Sequence, residues 1–77
     1  MKQLTLYVMP GCPFCERVTD YIDHENLDVD IVDIFEDRAG LRHLRKVGGK
    51  IQCPCLFIDD EPLYESVAIM DYLKQNQ

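Results

Sequence analysis

The feature that most constrains this chain is Cys12-Pro13-Phe14-Cys15, because of what stands on either side of it. Before it come the apolar run Leu4-Thr5-Leu6-Tyr7-Val8 and the loop Met9-Pro10-Gly11. After it, Cys15, Val18 and Ile22 recur at helical spacing, with Glu16, Arg17, Asp20 and Asp23 mostly elsewhere. The chain must therefore turn from a buried strand into an amphipathic helix inside the motif. Cys12 falls near the N-cap. Pro13 falls at the first helical position, where its missing N–H costs nothing and its fixed φ suits the helix. Unpaired N–H groups and the positive end of the helix dipole then face the Cys12 sulfur, a setting that favours thiolate over thiol. Cys15 lies one turn on, on the same side, within bridging distance and less exposed. The pair reads as a nucleophile and its resolving partner; the blander readings are two structural cysteines or half of a zinc site.

A chain of 77 residues is one domain, residues 1–77, with no room for a second. Apolar content near one half allows a core without disulfide staples. The net charge of −6, with only Arg42, Arg45 and Lys46 clustered, argues against nucleic acid and against anionic membranes as partners. No apolar run has the length of a membrane span or a signal sequence core. The expected setting is a reducing cytoplasm, where four cysteines suggest catalysis or metal rather than a framework of bridges.

The rest of the chain supplies the scaffold. The first helix is expected from about Pro13 to about His24, with no catalytic role for His24. Val29, Ile31, Val32 and Ile34, separated by Asp28, Asp30 and Asp33, predict a second strand, parallel to the first with a right-handed crossover. Asp37 can cap a second helix with Leu41, Leu44 and Val47 inward, stopped by Gly48-Gly49 and weakened in its first turn by Gly40. Cys55-Leu56-Phe57-Ile58 is apolar throughout and predicts a central strand. Asp59-Asp60-Glu61-Pro62 is a turn, and Leu63-Tyr64-Glu65 a short antiparallel partner strand. Ser66 is expected to cap a last helix with Val67, Ile69, Met70 and Leu73 inward. The order β-α-β-α-β-β-α is that of an α/β sandwich in three layers around a four-stranded mixed sheet.

Across essentially its whole length the chain resembles the glutaredoxins of the thioredoxin-like fold. The matching parts are Cys12-Pro13-Phe14-Cys15 after the first strand, Cys53-Pro54 opening the third, and the paired glycines before it. Gln52-Cys53-Pro54-Cys55-Leu56-Phe57-Ile58 and Pro62-Leu63-Tyr64-Glu65-Ser66-Val67-Ala68-Ile69 also look like the N-terminal domain of glutathione transferases. The resemblance implies a cis peptide at Cys53-Pro54 facing the active cysteine. It implies glutathione as reductant, bound by Phe14, Lys50, Gln52, Cys53, Pro54, Glu65 and Ser66. Main-chain groups of Cys53 would pair with the extended tripeptide, as in β-augmentation. Ser66 and the N–H groups of the last helix would take its γ-glutamyl carboxylate, and Glu65 its ammonium. Met9 stands where many glutaredoxins carry lysine, which leaves the helix start, with Lys50, to stabilise the thiolate.

The expected activity is reduction of protein disulfides and glutathione mixed disulfides by Cys12 and Cys15, in a monomer, with no metal. Lowering a thiol's pKa gains thiolate but loses nucleophilicity, so the larger benefit is as a leaving group. Three rivals remain. Cys12, Cys15, Cys53 and Cys55 can be read together as a zinc or iron–sulfur site. A redoxin recharged by a flavoprotein reductase is the second. A conjugating transferase is the third, and it needs a helical domain for its electrophile. At Cys53 an inert thiol, a disulfide with Cys12 or a shared metal are all open; the expectation is that Cys53 tunes the site rather than carrying its main chemistry.

Overall fold

In the computed structural model, which describes residues 2–76, seven elements follow in the expected order. They are β1 (Leu4–Val8), α1 (Pro13–His24), β2 (Asp30–Asp33), α2 (Arg38–Gly48), β3 (Cys55–Ile58), β4 (Glu61–Tyr64) and α3 (Ser66–Gln75). The strands lie in the order β2-β1-β3-β4; β1 and β2 are parallel, and the β1–β3 and β3–β4 pairs are antiparallel. The two apolar strands are thus central, and the two edges carry charge or proline: Asp30 and Asp33 on β2, Glu61 and Pro62 on β4.

Register decides which side chain meets which helix. Leu6 faces Leu56 across β1 and β3, and both join Val18 and Ile22 of α1 with Ile69 and Leu73 of α3. One residue along, Tyr7 faces Cys55, and this pair points to the opposite layer with Phe57, Ile34 and Leu44 of α2. Alternation along a strand produces the two cores from one sheet. Each fully buried leucine or isoleucine in them contributes roughly 1.5–3 kcal/mol.

Several sequence expectations are corrected. β2 is shorter than expected, and Ile31 is 48 % exposed because no helix covers that part of the edge strand; Ile34 packs into the core just past the strand's end. Val47 is exposed although it lies within α2, in the last turn past the buried Leu44. Gly40, expected to loosen α2, lies in its regular first turn and is buried; a Cβ there would meet Val32 Cγ1 at 2.6 Å. The residue is glycine because α2 approaches β2 closely. Gly49 ends α2 in the left-handed conformation, φ 84°, as expected of the second glycine. Asp37 caps α2, its Oδ1 accepting from the Gly40 N–H at 2.9 Å. Val67 is 68 % exposed rather than inward, and the turn before α3 sits one residue earlier than expected: Glu65, not Ser66, is the cap residue.

Candidate active site

The C-terminal ends of the parallel strands β1 and β2 lie together, and pairing continues past them through the Ile34 N–H and the Val8 carbonyl at 3.0 Å. From there the chain enters α1. Cys12 has an extended backbone, φ −102° and ψ 108°, and its carbonyl accepts the first helical bond from Glu16 at 3.0 Å. Its sulfur accepts the Cys15 N–H at 3.2 Å. A cysteine sulfur therefore occupies the position normally given to a capping oxygen, and Pro13 follows it as expected. The helix start was expected to be exposed, yet Cys12 is 8 % accessible and Cys15 2 %. The order of the two is as expected, with Cys12 the outer one.

Cys53-Pro54 is cis, and Pro54 is buried while Cys53 is half-buried. Cys53 packs against the cluster of Tyr7, Cys55 and Phe57, and Cys12, Asp33 and Cys15 act on its thiol. Burial pushes Cys15 up to about 12, helped by its hydrogen bond to Cys12. Burial also pushes Cys53 up to about 11, with the charges at Cys12 and then Asp33 acting in the same direction and the Cys15 hydrogen bond opposing them. Both thiols are therefore held in the protonated form at neutral pH.

Cys55 stands apart. It lies on the α2 face of the sheet, fully buried among Tyr7, Phe57 and Leu44, and its hydrogen-bonding neighbour is Tyr64. Burial again dominates, raising Cys55 to about 11. Cys53 also packs against this α2-layer cluster, between Cys55 and the Cys12–Cys15 pair that acts on it electrostatically. Among the described residues, no group of three or more His, Cys, Asp or Glu side chains is arranged to hold a metal ion, and no helix is long and apolar enough to cross a membrane.

The remaining expected residues lie on α1, at the start of α3 and in the loop before Cys53. Phe14, at the second position of α1 between the two motif cysteines in sequence, is 57 % exposed. Glu65 is exposed, with φ 74°, in a region that side chains rarely adopt. Ser66 is buried at the first position of α3 and lines a depression of about 210 Å³ with Arg17, Val67, Met70, Asp71 and Lys74. The larger depression, about 490 Å³ and lined by Lys2, Leu4, Leu27 and Tyr72 among others, lies at the opposite end of the sheet from the cysteines. Gln52 is exposed in the loop before Cys53. Lys50 does not stand free: its Nζ lies 4.5 Å from the centre of the Tyr64 ring, a cation–π contact.

Three residues escaped the sequence reading. Asp33 faces Cys53; its place at the C-terminal end of a parallel strand was the available signal. Arg17 shares the Ser66 depression and offers a cation beside the α3 start. Tyr64 Oη donates to the carbonyls of Gly48 and Lys50, each at 3.1 Å, and so fastens the loop that leads into Cys53. Burial, followed by the influence of Cys55, pushes Tyr64 up to about 12, so it remains a donor throughout the neutral range.

Residues 6–77 match the family model described as glutathione S-transferase, N-terminal domain. The Gene 56 protein of Mycobacterium phage L5 is 32 % identical over 56 residues, covering 73 % of this chain and 54 % of that protein, so the chain spans about half the length of that relative. Glutaredoxin 1 of Rickettsia conorii is 24 % identical over 79 residues, covering 100 % of this chain and 78 % of its own. Among solved structures, the thioredoxin-like protein BC3987 superposes with a TM-score of 0.81 at 24 % identity, over 97 % of this chain and 100 % of that one. A buckwheat glutaredoxin–glutathione complex superposes with a TM-score of 0.72 at 17 % identity, over 97 % and 71 %. The chain belongs to the glutathione S-transferase N-terminal domain family, with the thioredoxin-like fold that the glutaredoxins share.

Proposed function

We propose that this chain is a glutathione-dependent reductase of protein disulfides and glutathione mixed disulfides, acting through Cys12 and Cys15. The observation that carries the reading is the Cys12 sulfur at the N-cap of α1, held by the Cys15 N–H at 3.2 Å. That donor stabilises negative charge on sulfur both when Cys12 attacks and when it departs. In the monothiol route the Cys12 thiolate attacks the glutathione sulfur of a glutathionylated protein. The protein's sulfur leaves as thiolate and takes a proton. A second glutathione thiolate then attacks the glutathione sulfur on Cys12, releasing glutathione disulfide and the Cys12 thiolate. In the dithiol route Cys12 forms a mixed disulfide with a protein substrate. Cys15 then attacks Cys12 and expels the substrate thiolate, closing the Cys12–Cys15 disulfide.

Glutathione would lie with its main chain along Cys53, its γ-glutamyl carboxylate at Ser66 and Arg17, its ammonium at Glu65, and Phe14 and Gln52 at its flanks. The exposed Glu65, the depression beside Ser66 and the half-buried Cys53 support this placement. The glutathione complex of the buckwheat neighbour supports the choice of reductant. A monomer in a reducing cytoplasm is the proposed working state. The test is turnover of a small glutathione mixed disulfide with glutathione, run beside a flavoprotein thioredoxin reductase couple. Turnover with glutathione is the expected result. Reduction by the flavoprotein alone would instead assign the chain to reductase-coupled redoxins, a reading favoured by Met9 in place of lysine and by Lys50 lying on Tyr64.

A further inference from the structure

We propose that Tyr64 is a positioning residue for the peptide ligand: its hydroxyl fixes the main chain between α2 and Cys53, and so governs how tightly glutathione is held without touching it. The inference rests on the glutathione reading above for the identity of that ligand, and adds a residue to its binding. Tyr64 ends β4, opposite Cys55 in register, and packs on the α2 face of the sheet. Cys53-Pro54 runs directly into Cys55. The strand that places Tyr64 and the strand that receives the loop are therefore hydrogen-bonded neighbours.

Tyr64 meets the loop at three points. Its Oη donates to the carbonyls of Gly48 and Lys50, each at 3.1 Å. The Gly48 carbonyl belongs to the last turn of α2, whose carbonyls the helix itself leaves unpaired. The Lys50 ammonium lies 4.5 Å from the centre of the Tyr64 ring. Gly48 shows how close the approach is, because a Cβ added there would press on the Tyr64 hydroxyl. The next nearest atoms, Leu44 Cδ1 at 3.4 Å and Tyr64 Cζ at 3.5 Å, would be in van der Waals contact. Gly48 lacks the positive φ of Gly49, so the hydroxyl and not the backbone excludes a side chain there. Among the described residues, no other side chain donates a hydrogen bond to the main chain of residues 48–53. Ile51 and Gln52 are exposed, so the loop has little packing of its own. Holding a binding segment in its bound form beforehand lowers the ordering cost of binding. Freeing it weakens affinity and leaves the reacting atoms alone, since Cys12 stands at the start of α1.

The test is a double-mutant cycle on the full chain, assayed on a small glutathione mixed disulfide. Tyr64→Phe keeps the ring and removes the hydroxyl. It should raise the KM for glutathione roughly three- to ten-fold, the range of one neutral hydrogen bond. The kcat and the pH profile of Cys12 alkylation by iodoacetamide should stay at wild type. Gly48→Ala should raise KM over the same range, because the methyl displaces the hydroxyl. In the Tyr64→Phe background the methyl has room, and Gly48→Ala should add less than about two-fold. Amide hydrogen exchange without glutathione should be faster at residues 50–53 in Tyr64→Phe and unchanged in α1. The proposal is overturned if Tyr64→Phe leaves KM within about two-fold of wild type, or if the two substitutions multiply. A fall in kcat at constant KM, or a lower Tm with KM unchanged, overturns it too. A wild type that glutathione does not turn over removes the glutathione reading alone. The same cycle is then read on the KM for a disulfide peptide with the flavoprotein couple, and the same ratios decide.

Discussion

Helices α1 and α3 both begin at the end of the sheet that carries the cysteines, and they begin in opposite ways. At α1 the cap residue is extended and its sulfur takes an N–H of the first turn. At α3 the cap residue, Glu65, has φ 74° and makes no side-chain capping bond. The first helix start is closed by a sulfur of its own chain, and the second carries no side-chain cap. On the function proposed above, the same four unpaired N–H groups of a helix end serve reactivity in one place and recognition of a carboxylate in the other. The start of α2, capped by Asp37 in the ordinary way, is the internal control.

The comparison can be broken most decisively at α1. Cys12→Ser should reduce turnover to the uncatalysed background. Cys15→Ser should keep turnover of small glutathione mixed disulfides and lose reduction of protein disulfides. A Cys15→Ser variant as inactive as Cys12→Ser toward a small mixed disulfide would remove the monothiol route. At α3, Ser66→Ala removes one hydrogen bond to a charged group, about 1.5–3 kcal/mol. Glutathione should then bind roughly ten-fold more weakly or worse, read from the glutathione dependence of the rate; no change would take Ser66 out of the site. Asp37→Ala should lower stability by about 1 kcal/mol, a fall in Tm of roughly 4–8 °C for a domain this size, and leave the rate per folded molecule alone. A change in redox rate would show that α2 is no control. The smallest effect is the most diagnostic. Glu65→Gly relieves the backbone at φ 74° and should raise the denaturation midpoint slightly, by about 1 kcal/mol or less once glycine's own entropy is counted, while weakening glutathione. A variant that gains stability and keeps full glutathione dependence would make Glu65 a purely structural turn residue.

Most of the scaffold was legible because it rests on local chemistry. Strand, Pro-Gly loop, Cys-Pro and helical spacing each point to the same turn at Cys12. Asp37 and Gly49 mark the ends of α2 by their own conformational preferences. What was not legible depends on how elements meet. Gly40 reads as a weak point until Val32 is seen pressed against it. Val67 and Val47 follow an apolar pattern, but their helices turn those positions to solvent. The side taken by Cys55 is fixed only when Tyr7 is placed opposite it in register. For the site, the motif cysteines announced themselves. Asp33, Arg17 and the hold of Tyr64 on the Cys53 loop arise from chain segments far apart in sequence, and no local pattern encodes them.

The edges of the sheet carry one more consequence. A strand with open N–H and carbonyl groups is a template on which other chains can grow. Here β4 carries Pro62, which has no N–H to offer, next to Glu61; β2 is four residues long and begins and ends in aspartate. Two copies laid edge to edge along β2 would bring carboxylates together as water is driven out, and two copies along β4 would find a gap in the ladder. A crowded solution of this acidic chain is thus guarded against growth into fibrils at both margins, at the β2 edge in part by Asp33, the same carboxylate that acts on Cys53.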